Sequence, residues 1–250
     1  MLAESCESLA LELGECACVH GLGRLAVLAL DYVAYERRLV PAPVCALLAA
    51  HPDDADKRDV VDQTASPLGR DLANQQRSSR TDQKHRRFLS QYRKMTNALD
   101  DVCRKRHEKV VAEFVFILGP SVFLPREIIR LPLPHCDCRA EEICKPLDAN
   151  VARRISARLV CGGFLSSFSK PKAAGKLWML VRTRPGRTLE LDSAVFEESN
   201  FDLPNATVAQ AMKLKLASLY VNRTKHEPLS AGANENGTWY LCREHLAGFD

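Results

Sequence analysis

The residues that most constrain the fold run from Phe88 to Pro134. Val110 to Leu118 reads VVAEFVFIL, with almost no alternation between apolar and polar positions. A strand of that kind is covered on both faces, so it belongs inside a sheet and not at its edge. A basic helix precedes it, carrying Phe88, Tyr92, Met95, Leu99 and Val102 at alternating steps of four and three. That spacing puts all five on one apolar stripe. A helix feeding a central strand predicts a compact α+β core.

The rest of the chain supplies the layers around that core. Ser8 to Leu13 alternates and predicts a short first strand. Leu22 to Arg38 is apolar nearly all round until its charged end, which predicts a largely buried helix. Arg37 and Arg38 then fall at the negative end of its dipole. Pro41 and Pro43 stop it, and a short helix follows over Val44 to Ala50. His51 to Arg80 is polar and poor in apolar residues, which predicts a mobile loop within one domain. Pro134 to Asn150 reads as a loop. A helix over Ala149 to Phe168 follows, with Val151, Ile155, Leu159 and Val160 on one side and Asp148 or Asn150 capping its start. Gly162 and Gly163 end it or loosen its last turns.

Lys176 to Thr183 predicts a strand, Arg184-Pro-Gly-Arg a turn, and Thr188 to Leu191 a returning strand. Met212 to Leu216 alternates with a period of two, as a half-buried strand does. In the closing segment Trp239 and Leu241 face one way. The expectation is a single α+β domain over residues 8–250, with helices stacked on a mostly antiparallel sheet.

Composition narrows the class. No apolar run in the 250 residues reaches the ~18–20 needed for a membrane-crossing helix. The first residues, MLAESCESLALEL, carry acids where a signal peptide has a basic leader, so an intracellular protein is expected. The ten cysteines are then read as thiols, mostly small buried hydrophobes, despite three sequons at Asn205, Asn222 and Asn236. Net charge is +4, and Arg77 to Lys109 concentrates bases against four acids. That stretch is either a solvated helix face or a surface for nucleic acid or an acidic protein.

Signals for chemistry are weak. His135, Cys136, Cys138 and Cys144 offer four zinc-type ligands in one loop, but structural zinc sites usually pair ligands two to four residues apart, twice over. Gly21-Leu-Gly23 lacks the third glycine of a dinucleotide fingerprint. No nucleophile elbow, phosphate loop or paired metal-ligand motif appears. A binding protein without a cofactor fits better than an enzyme.

Four segments, in order, carry a resemblance: YERRLVPAP at Tyr35–Pro43, FVFILGPSVFLPREIIRLPL at Phe114–Leu133, ARRISARLV at Ala152–Val160, and TWYLCREHLAGF at Thr238–Phe249. Together they resemble the comet family, the mitotic arrest deficient 2-like protein 1-binding proteins. The strength of the match lies in order and spacing. The resemblance implies a HORMA-like fold, three helices on a central antiparallel sheet with a wrapped C-terminal region. It implies a non-enzymatic adaptor that binds the closed conformer of mitotic arrest deficient 2. The adaptor presents that conformer to the thyroid-receptor-interacting AAA+ ATPase, which helps disassemble the mitotic checkpoint complex and silence the spindle checkpoint. The implied setting is nucleus and cytoplasm, with spindle or kinetochore in mitosis.

By the same resemblance, partner contacts fall on Tyr35, Glu36, Arg37, Arg153, Ile155, Ser156 and Leu159. Glu36 stands where the family has Gln, and Ser156 near the family's anchoring aromatic. Ile155 and Leu159 serve equally well as core residues. The family's Phe-x-Pro-Lys contact with the ATPase reads Phe196-Glu197-Glu198-Ser199, without the Pro and Lys. Phe196, Glu198 and Ser199 are the expected contacts there.

Overall fold

The computed structural model describes residues 6–11, 19–50, 70–104, 110–133, 148–168, 175–204, 206–221 and 237–248. Strand β2 (Val111–Gly119) is buried along its whole length. It lies between β3 (Glu127–Pro132) and β4 (Lys176–Thr183), antiparallel to both. Its side chains alternate between two cores. Phe114, Phe116 and Leu118 point to the helices, while Val115 and Ile117 point to the opposite face. The lack of alternation in the sequence thus has its expected cause: both faces are apolar because both are covered.

Around β2 the sheet has eight strands. The others are β1 (Cys6–Leu11), β5 (Phe196–Ser199), β6 (Lys215–Val221), β7 (Trp239–Cys242) and β8 (Leu246–Ala247). The order is β1-β6-β3-β2-β4-β7-β5, with β8 paired to β4. Only β1 with β6 and β3 with β6 run parallel. The chain is therefore mixed α+β with a mostly antiparallel sheet.

Five helices complete it: α1 (Val19–Glu36), α2 (Val44–Ala50), α3 (Arg70–Arg104), α4 (Ala149–Cys161) and α5 (Ala206–Ala211). The three long ones, α1, α3 and α4, share a core with one sheet face. Phe88, Tyr92, Met95, Leu99 and Val102 of α3 are all buried there. The hydroxyl of Tyr92 donates to Asp31 Oδ1 on α1 at 2.5 Å. Burial pushes the Asp31 carboxyl up to about 6, against the opposing effect of that hydrogen bond. Burial likewise raises the Tyr92 phenol, helped by the Asp31 charge. On the other sheet face Ala209 of α5, Leu214, Phe201 and Trp239 pack on Val115, Ile117 and Leu180. Trp239 and Leu241 share that face, as their spacing predicts.

Several boundaries differ from expectation. Helix α3 begins at Arg70, so residues 70–80 are helical and not part of a loop; residues 51–69 lie outside those described. The segment from 70 to 80 has no apolar period to betray it. Its Leu, Ala, Gln and Arg nevertheless have good helix propensity, and adding turns to a packed helix avoids the nucleation cost. Thr188 to Leu191 joins no ladder, and the strand beside β7 is β5 instead. Strand β6 starts at Lys215, because Met212 and Lys213 form the end of α5. The β3 segment between Pro125 and Pro132 was not expected as a strand. It is held by Phe116 and Ile117 opposite Ile129 and Ile128. Gly119 makes the hairpin possible, since a Cβ there would sit 2.5 Å from the Leu124 carbonyl oxygen.

Helix α1 closes earlier than its charged end suggests. Arg38 takes a left-handed conformation, φ 56°. Its N–H reaches the Tyr35 carbonyl and the Leu39 N–H reaches that of Ala34. This is a Schellman cap, with buried Leu39 as its apolar contact. The same motif ends α5, with Lys213 left-handed at φ 53° and Leu214 buried.

Candidate partner-binding surface

Helix α4 starts at Asp148, whose Oδ1 accepts the Asn150 N–H at 2.5 Å, and ends at Gly162. Val151, Ala152, Ile155 and Leu159 form its buried side. The turn that follows, residues 162–168, hangs from the end of α1. Tyr32 donates its hydroxyl to the Phe164 carbonyl. Arg37 donates to the Leu165 carbonyl at 2.5 Å and to that of Phe168 at 3.4 Å.

Arg37 is the centre of a buried charge cluster. Its Nε lies 3.1 Å from Glu127 Oε2 at the start of β3, an ion pair whose N–H is not aimed at the oxygen. Lys215 at the start of β6 lies 3.4 Å from Glu127 Oε1. Both cations sit over the Phe168 ring, at 5.6 and 5.5 Å. Four elements distant in sequence therefore meet on one carboxylate. A second carboxylate, Glu113 on β2, is fully buried on the opposite sheet face. Arg130 meets it at 2.7 Å and Arg182 at 2.8 Å. These two clusters hold charge inside the sheet, where removing a partner would strand the rest.

The geometry redistributes the expected contact residues. Arg37 is 0% exposed and belongs to the frame of the fold, so it cannot meet a partner. Ile155, 2% exposed, and Leu159, 1% exposed, are core residues for the same reason. Their i, i+4 spacing is the buried stripe of α4. Tyr35 is 46% exposed at the end of α1, Glu36 is half-buried beside it, and Ser156 is half-buried on α4. Arg153 is exposed. The outer side of α4 also carries Arg154, Ala157, Arg158, Cys161 and Val160, the last 64% exposed. Those residues were missed, and Val160 was placed with the apolar side. The signal lay in the helical period, since Val160 follows Ile155 by five residues and Leu159 by one.

On the far edge, Phe196 is 4% exposed and packs into the helix-side core, so it is not a contact. Glu198 is exposed and Ser199 half-buried on β5, the terminal strand of the sheet order. In α3, Lys94 pairs with Glu244 at 2.7 Å, tying the helix to the β7–β8 turn. His135, Cys136, Cys138 and Cys144 lie outside the described residues. Among the described residues no group of three or more His, Cys, Asp and Glu side chains is placed to hold a metal ion. Cys45, Cys103, Cys161 and Cys242 are free thiols, two of them exposed. No helix among the described residues is long and apolar enough to cross a membrane. No protein-family model matches the chain, and no curated protein matches it.

Proposed function

We propose that this chain is a HORMA-like adaptor that works by binding one conformer of a partner, and not by catalysis. The reading takes the partner to be the closed form of mitotic arrest deficient 2, handed on to the thyroid-receptor-interacting AAA+ ATPase. The observation that carries it is the arrangement of α4. This helix is docked through its apolar stripe beside the end of α1, and its outer side is open. The order of elements supports it: a first strand, long helices, a central hairpin, α4, then strands that return to β4.

In this reading Tyr35, Glu36, Arg153 and Ser156 face the partner, with Arg154, Arg158 and Val160 joining them. Glu198 and Ser199 on β5 are the remaining candidates for the ATPase. Discrimination between conformers is the whole of the mechanism, because a ligand shifts an equilibrium only by its difference in affinity for the two states. A tenfold preference amounts to about 1.4 kcal/mol. The test is a pull-down with locked-closed and locked-open partner. Preferential recovery of the closed form supports the reading, and equal recovery of both sinks it.

A further inference from the structure

Helix α4 differs from an ordinary solvated helix in its charge pattern. Ala149 to Cys161 holds three arginines, Arg153, Arg154 and Arg158, and no acid; only the capping Asp148 precedes it. All three arginines are exposed. Among the described residues none of them forms an ion pair. Elsewhere the fold matches its cations to carboxylates: Arg37 and Lys215 to Glu127, Arg130 and Arg182 to Glu113, Lys94 to Glu244. Arg154 and Arg158 stand four residues apart, about 6 Å along the axis, where like charges oppose each other. Beside them Ala157, Val160 and Cys161 form a small, exposed, nearly apolar strip.

We infer that the outer face of α4 docks an acidic helix of a partner protein. Carboxylates at i, i+4 on that helix would meet Arg154 and Arg158, and a guanidinium takes a carboxylate in a planar two-pronged bond. The short side chain of Ala157 lets the two helices approach, and Val160 supplies an apolar contact that a ridge of the partner covers. A nucleic-acid backbone would match the charges and leave Val160 against phosphate. A membrane surface would meet no large apolar side chain on this face. The inference deepens the adaptor reading and rests on it for the choice of α4 as the docking helix.

The experiment uses the full chain and two synthetic helical peptides, one with Glu at i, i+4 beside Leu, the other with Gln at the Glu positions. The acidic peptide binds at least tenfold more tightly than its Gln counterpart, and the advantage shrinks with added salt. The double variant Arg154→Glu with Arg158→Glu loses that advantage and keeps the wild-type thermal midpoint, since both side chains are exposed. Equal binding of the two peptides overturns the inference. So does a short DNA duplex or an anionic vesicle that competes through the same arginines. Locked-closed mitotic arrest deficient 2 separates the two claims. If it binds wild type and double variant alike, the acidic-helix inference fails and the adaptor reading stands. If it binds neither while the acidic peptide discriminates, the adaptor reading fails and the docking face stands.

Discussion

Replacing Asp31 by Asn should make the protein more stable at neutral pH and remove part of its pH dependence. Asp31 is held between α1 and α3 with Tyr92 donating to its Oδ1 at 2.5 Å. Burial raises its pKa from 3.8 to about 6, the hydrogen bond only partly opposing it. Between those two values the folded state keeps a proton that the unfolded chain has released. Stability from this group is therefore complete below about pH 4 and is lost as pH rises through about 6. At about 1.4 kcal/mol per pH unit the loss is of the order of 3 kcal/mol. Asn keeps an acceptor for the Tyr92 hydroxyl and carries no charge, so it avoids that loss. A neutral hydrogen bond is weaker than one to a carboxylate, which offsets about 1 kcal/mol. The net expectation is a gain of about 1–2 kcal/mol at pH 7.5, or roughly 2–8 °C for a chain of this size. Urea titrations of wild type and Asp31→Asn, at half-unit steps from pH 4 to 7.5, measure it. The two curves should converge near pH 4 and separate above pH 6. A constant gap across the range, or an Asn variant less stable at pH 7.5, would refute the reasoning.

Two further outcomes follow from the buried cluster and the helix cap. Arg37→Met should cost about 3–5 kcal/mol, because it leaves Glu127 buried with only a more distant lysine; adding Glu127→Gln should recover part of that cost, and chemical denaturation of the single and double variants reads both. Arg38→Gly should add about 1 kcal/mol, since glycine adopts the left-handed cap without strain; a lower thermal midpoint would argue against the cap.

Much of the fold was legible because it is written in local periods. The step of four and three in α3 and the unbroken apolar run of β2 encode how many sides of an element are covered. Lys176 to Thr183 and Val44 to Ala50 could be bounded from composition and turns alone. The start of α3 was not legible, because a polar stretch and a helix are the same to an apolar count. Strand β3 was hidden by its flanking prolines. The surface of α4 was half legible: the period separates Ile155 and Leu159 from Arg154 and Arg158, yet a chain resemblance drew the two buried residues into the expected interface.

The sequence by itself determined the class of the core, the doubly covered central strand, and the amphipathic character of α3 and α4. Those follow from the 3.6 and 2.0 periods of the backbone, which act over a few residues. Only the tertiary structure decided the fate of the charges. Arg37 looks like a helix-end cation until Glu127 and Lys215, far away along the chain, close around it. Glu113 looks like a blemish in an apolar strand until two arginines from neighbouring strands reach it. Burial of an ion depends on partners that sequence distance does not reveal, and the same pairing leaves the arginines of α4 as the cations that the fold itself does not use.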